Sequence, residues 1–137
     1  MTDTLMEVMN LLRHSNQACA LVKSNNETFQ LAMTGGSTKF GHYLVNIELY
    51  EGRESSWSET SEKLPMESDQ SQGLSYSQLL SIKNGSELLL YGGQIGDQIF
   101  DGIYKFISAS KTWLQVGKMK FPRSAHVVIP VQGLSCP

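Results

Sequence analysis

Apolar residues in this chain come in short runs closed by glycines and polar turns, and one run sets the pattern. Leu88, Leu89 and Leu90 lead straight into Tyr91, and Gly92 and Gly93 follow. Four apolar residues in succession predict a short strand buried on both faces. The paired glycines then allow positive φ or a close approach to other backbone. The same pattern stands earlier in the chain. Gln30 to Gly36 reads QLAMTGG, which sets Gly35 and Gly36 57 positions ahead of Gly92 and Gly93. A polar loop follows each pair, TKFGHY in one copy and QIGDQIFDG in the other. An alternating strand comes next, with Ile47 and Leu49 matched at the same spacing by Tyr104 and Phe106. A small-residue turn and a tryptophan follow, Trp57 and Trp113 being 56 positions apart, and Leu64-Pro65 against Phe121-Pro122 closes the match.

Self-similarity at a period of tens of residues marks a solenoid, a propeller or an array. Each copy holds short strands and turns without a long helical pattern, which favours a propeller blade. The inner strands are then expected at 18–22 and 77–82, with 125–131 beginning a third. Second strands at 28–34 and 87–91 end at the glycine pairs, near a central channel where a side chain would collide with the neighbouring blade. Third strands at 44–50 and 102–107 alternate so that one face packs on the next blade. Each tryptophan opens an outer strand and fills the gap between blades with a large buried area.

Gly35, Gly36 and Trp57 in the first copy, and Gly92, Gly93, Tyr104 and Trp113 in the second, resemble the kelch repeat. That repeat is about 50 residues long and forms one four-stranded propeller blade. The second copy is the better match, because the first has Ile47 where the family usually has tyrosine and carries a longer polar segment, MESDQSQGLSYSQ. The resemblance covers roughly residues 9 to 137 and implies an all-β fold, a partial kelch-type β-propeller of about two four-stranded antiparallel blades. The expected units are an N-terminal segment 1–13, repeats at 14–65 and 66–122, and the start of a third at 123–137. MNLLR (Met9 to Arg13) lines up with MKFPR (Met119 to Arg123), which makes 1–13 the outer strand of a preceding blade. A short helix is the alternative, because Thr4 to Glu7 is a capping-box pattern with Leu5, Val8, Met9 and Leu12 on one face. Two blades leave sheet faces and edges exposed, so the chain is expected to be part of a longer protein, to self-associate to complete a propeller, or to pack its sheets in a way that departs from a propeller.

Charge changes little in this picture. A formal −2 over 137 residues suggests neither nucleic acid nor an anionic membrane as a partner. The N-terminus carries Asp3 and Glu7 and lacks the basic-then-apolar order of a signal peptide, which points to a cytoplasmic location. Cys19 and Cys136 are too few and too far apart for a disulfide framework or a zinc site, and read as simple thiols in or near strands. Two N-glycosylation sequons, at Asn26 and Asn84, occupy equivalent turns between the first and second strands. If they are used, the location is extracellular; the plainer reading is that hairpin turns want Asn and Gly.

Candidate chemistry is sparse. His14, His42 and His126 fall in different repeats with no metal-pair spacing, and His126 in PRSAH reads as a turn-packing residue. GQIGDQ (Gly93 to Gln98) lacks the lysine and following helix of a phosphate loop and reads as a plain loop. Lys105, Lys111, Lys118, Lys120 and Arg123 read as a solvated face. No catalytic residue, metal or cofactor is expected. The kelch resemblance implies a non-catalytic protein-interaction module or scaffold. Its partner, a protein of unstated identity, would meet the loops Ser37–Tyr43, Gln94–Asp101, Pro65–Ser75 and Pro122–His126. Among these Phe40, His42, Phe100 and Arg123 are the expected contacts, since aromatic and arginine side chains carry most interface energy, although Arg123 reads equally well as structural. Two alternatives stand beside this: a fragment of an extracellular kelch-like protein of the galactose-oxidase type, and a degenerate kelch remnant without independent function.

Overall fold

A computed structural model describes residues 17–36, 46–60, 64–65 and 74–129. Ten strands are formed among them. β1 (Ala18–Lys23), β2 (Phe29–Thr34), β3 (Ile47–Glu51) and β4 (Ser56–Glu59) make one antiparallel sheet in that order. β5 (Gln78–Ile82), β6 (Glu87–Tyr91), β9 (Gly102–Ile107) and β10 (Thr112–Lys118) make the second, with β5 and β10 at its edges. Between β6 and β9 the chain makes a miniature ribbon of β7 (Gln94–Ile95) and β8 (Gln98–Ile99). The two four-stranded antiparallel blades expected from the repeat are therefore present.

Each sheet is a meander, and the tight turns β1–β2, β3–β4, β5–β6 and β9–β10 each hold residues at positive φ. Glu27, Ser55 and Lys111 sit at φ of 62°, 48° and 54° in the turns β1–β2, β3–β4 and β9–β10. The β5–β6 turn runs through Lys83, Asn84 and Gly85 at φ of 49°, 54° and 86°. A bulge at Gln115–Gly117 shifts the register of the edge strand β10, and pairing resumes at Gly117 and Lys118; bulges are common at sheet edges.

Cross-strand partners lie on the same side of a sheet, so the registers assign the faces. Ala18, Val22, Ala32, Ile47 and Leu49 share the back of the first sheet. Leu79, Leu88, Leu90, Tyr104, Phe106 and Trp113 share the front of the second. These two faces are buried together in one core. Phe106, at 1% exposure, packs against Trp113 with ring centres 5.2 Å apart and planes tilted by 54°. The other face of the second sheet carries Leu80, Ile82, Leu89, Ile103, Ile107 and Leu114, none of them fully buried.

Three expectations are corrected. Leu31 pairs Tyr50 and Tyr50 pairs Trp57, while Leu88 pairs Phe106 and Phe106 pairs Trp113. Tyr50 is thus the counterpart of Phe106, and the first-copy residue in the place of Tyr104 is Glu48 rather than Ile47. The alignment by glycines slips by one because the connection from the second to the third strand differs in length between the copies. Second, the GQIGDQ stretch is not a plain loop: Gln94 and Ile95 pair with Ile99 and Gln98. Third, residues 125–129 of the expected third inner strand form no strand, and Val127 and Ile129 are 78% and 73% exposed.

Candidate functional site

The glycine pairs organise one end of each sheet. At Gly35 (φ +74°) an added Cβ would strike the carbonyl oxygen of Leu74, and at Gly92 (φ +54°) that of Arg123. Leu74 and Arg123 are the residues by which the chain, leaving one unit, crosses over the glycine pair just built. Gly36 N–H donates to Leu74 O at 2.9 Å and Gly93 N–H donates to Arg123 O at 2.8 Å, so both crossings use one device. The collision foreseen for these glycines is thus with the crossing segment. Tyr76 and Ala125, two residues past each crossing, both take left-handed φ, 56° and 52°.

At the second pair these contacts make a backbone-knit rim. Ser75 and Gln94 exchange two hydrogen bonds at 2.9 and 2.8 Å, anchoring the β7–β8 ribbon to the start of the second blade. Phe100 N–H donates to Gly93 O (2.9 Å), Arg123 N–H to Phe100 O (3.1 Å), Ala125 N–H to Tyr76 O (2.9 Å) and Met119 N–H to Asp101 O (2.7 Å). Little in this platform depends on side chains, which frees them for contact.

Of the residues expected to meet a partner, Phe100 and Arg123 are brought together here through that backbone bond. Phe100 is partly buried against the core, whereas Arg123 is exposed. Phe40 and His42 lie outside the described residues. The rim also presents Tyr76 (41% exposed) and Ile99 (46% exposed), which sequence reasoning passed over. For Ile99 the available signal was the repeated Gln-Ile pair of QIGDQI around a Gly-Asp turn, which marks a short ribbon, each of whose sides carries one Gln and one Ile. For Tyr76 the signal was an aromatic placed between two serines just ahead of an inner strand.

His126 follows the crossing, with its Cε1 3.2 Å from where a Gly92 Cβ would stand. Burial, and then the neighbouring Arg123 charge, hold its pKa below the usual value of 6.5. Ser77, at 1% exposure, lies beneath Gly93. Its hydroxyl and both His126 ring nitrogens find no hydrogen-bond partner among the described residues. Among those residues no three His, Cys, Asp or Glu side chains gather in a way that could hold a metal ion.

At the opposite end an open cleft of about 450 Å³ is lined by Glu27, Thr28, Phe29, Glu51, Gly52 and Arg53. Glu51 is already engaged, accepting from Gln30 Nε2 at 3.4 Å and from the Arg53 N–H at 3.2 Å. The cleft is open, with half-exposed Phe29 as its apolar wall.

No family model matches the chain, and no curated protein matches it. Among solved structures the chain is similar to YjhT, a kelch-repeat β-propeller protein, with a TM-score of 0.60 at 13% identity. The likeness covers 81% of this chain and 40% of YjhT. The fold is therefore all-β, two four-stranded antiparallel sheets that match part of a kelch propeller. At that identity the comparison speaks to fold alone.

Proposed function

We propose that this chain is a kelch-type propeller segment serving as a non-catalytic protein-interaction module, and that it meets its partner with the rim around Gly92 and Gly93. The observation that carries this reading is the set of backbone hydrogen bonds holding the 94–101 ribbon and the 119–126 crossing together. They present Tyr76, Ile99 and Arg123 on a preorganised surface, and preorganisation lowers the ordering cost of association. An exposed aromatic, an aliphatic and an arginine on one rim are the kind of anchors on which interface energy concentrates. Phe100 is partly buried against the core. Phe40 and His42 belong to the equivalent loop of the first unit and extend the same proposal there. YjhT is itself an enzyme, but catalytic residues do not travel with fold, and the orphaned polar groups near this rim, Ser77 and His126, form no nucleophile–base pair.

The outer face of the second sheet supports a second element of the proposal. Leu80, Ile82, Leu89, Ile103 and Ile107 share this face with the Glu87–Lys105 ion pair (3.7 Å); its equivalent on the first sheet is buried, and a further blade would cover it. That blade comes either from more of a longer chain or from another copy. Light scattering on the folded chain separates these: a discrete oligomer supports another copy, and a monomer at all concentrations removes it.

The rim assignment is tested with three purified proteins: the unaltered chain, Ile99→Asp with Arg123→Ala, and Phe29→Asp at the opposite end. Each is used to retrieve partners from its own cell extract, with folding checked by near-UV circular dichroism. A protein retained by the first and third but lost by the second supports the rim. Retention by all three, or no specific protein at all, overturns it.

A further inference from the structure

The β5–β6 turn has a chemistry that its structural role does not use. Asn84 is exposed and sits at φ 54°, ψ 37°, within a single 3-10 turn over Lys83–Gly85. It is the only asparagine in the chain followed by glycine. That dipeptide is present because consecutive positive-φ positions select Asn and Gly. The same dipeptide leaves the Gly85 amide nitrogen without a neighbouring Cβ to shield it from the Asn84 side-chain amide.

We propose that Asn84 is a site of spontaneous backbone rearrangement, and that its isoaspartyl product loosens the joint between the two sheets. The Gly85 nitrogen, losing its proton to hydroxide, attacks Asn84 Cγ. A C–N bond forms, the Cγ–Nδ2 bond breaks, and Nδ2 leaves as ammonia to give a cyclic imide. Water then opens the imide. Attack at the side-chain carbonyl gives aspartate, and attack at the former main-chain carbonyl gives isoaspartate, whose backbone runs through Cγ and is one methylene longer. One water enters, one ammonia leaves, and no oxidant or reductant is needed.

The consequence follows from where the turn is seated. Gly85 is buried against the β1–β2 hairpin of the other sheet: a Cβ there would stand 2.9 Å from Phe29 Cε1 and 3.1 Å from Lys23 N. The adjoining Ser86 accepts the Ser108 N–H at 3.1 Å, and the Ser108 hydroxyl donates to Lys23 O. Lys23, Ser108 and Ser86 thus tie the first sheet to the second at this end. An added backbone methylene at residue 84 cannot leave both Gly85 in its seat and Ser86 on Ser108. The turn itself restrains the reaction. At ψ 37° the nitrogen must swing to reach Cγ, and the Ser86 N–H and hydroxyl hold Lys83 O at 3.2 and 2.9 Å.

Asn26 is the internal control. It is exposed in the equivalent turn of the first sheet but is followed by Glu27, which has a Cβ. The whole chain is held in mildly alkaline buffer, digested and weighed peptide by peptide, with isoaspartate identified by methylation with an isoaspartyl methyltransferase. The Asn84 peptide is expected to lose ammonia and gain water well before the Asn26 peptide, and Ser86→Ala is expected to hasten it. Separated isoaspartyl protein should melt about 4 °C or more below Asn84→Asp, which carries the same charge on a normal backbone. Equal conversion of the two peptides overturns the site. A converted fraction that melts with Asn84→Asp overturns the effect on the joint.

Discussion

Why the chain places two glycines after an apolar strand can be measured by replacing Gly92 with alanine and comparing Gly96→Ala. The two positions share a positive φ, +54° and +57°, but not their surroundings. At Gly96 nothing lies within 4 Å of an added Cβ, so its substitution reports only the left-handed conformation, about 1–2 kcal/mol. At Gly92 the Cβ meets three groups. Met119 Cε, 2.8 Å away, and His126 Cε1, 3.2 Å away, are the ends of side chains and can move. The Arg123 carbonyl cannot, because it accepts Gly93 N–H at 2.8 Å while Arg123 N–H is held on Phe100 O at 3.1 Å. Clearing the carbonyl means giving up both bonds, about 1 kcal/mol each in net terms. Gly92→Ala should therefore cost about 3–4 kcal/mol against about 1–2 for Gly96→Ala. In urea unfolding followed by tryptophan fluorescence, a slope of about 2 kcal/mol per molar separates the two midpoints by about 1 M. Midpoints closer than about 0.3 M would show that the close approach contributes nothing and that positive φ alone explains the glycine. Gly35→Ala should behave like Gly92→Ala, because the Leu74 carbonyl stands in the same relation to it.

The tryptophans should differ. Trp113 is 6% exposed in the seam between sheets, and Trp113→Ala should cost about 3–5 kcal/mol by urea unfolding; half-buried Trp57→Ala should cost less than half as much, and equal losses would contradict the face assignment. Both indole N–H groups are buried without an acceptor among the described residues, so phenylalanine should replace either at a smaller cost than alanine. His126 has its folded pKa below the usual 6.5 through burial and Arg123, so its contribution to stability is complete above that value and is lost as pH falls through the folded pKa. Arg123→Ala should raise the His126 midpoint in an NMR titration, and an unmoved midpoint would remove Arg123 as a cause. Glu48 is shifted the other way for an acid: burial first, then Glu59, raise its pKa above 4.5. Its protonated form is favoured on folding, so the chain loses stability as pH rises from the unfolded to the folded value. Glu48→Gln should gain on the unaltered chain as pH rises from acid to neutral, and a pH-independent difference between them would refute this.

The repeat was legible because propeller packing imposes it on every unit. Glycine pairs are forced by a passing carbonyl, alternating apolar residues by a two-sided sheet, and tryptophan by the width of the seam, so Gly92, Phe106 and Trp113 announce their neighbours without any structure. Register was not legible to the residue. Turn and connection lengths vary freely between strands, and counting from the glycines landed on Ile47 where hydrogen bonding puts Glu48. That single step carries chemistry, since it places an acid where the other unit has Tyr104, beside Glu59 and half withdrawn from water. The rim was only partly legible for a related reason. Arg123 could be picked out by type, but its place beside Phe100 depends on a backbone bond between residues in different connections, and nothing in the local pattern encodes that. Tyr76 and Ile99 are exposed by the same tertiary arrangement. Core positions answer to local periodicity, which a sequence displays. Surface positions answer to which connections cross, and in this fold the crossings are made by backbone atoms that every residue possesses.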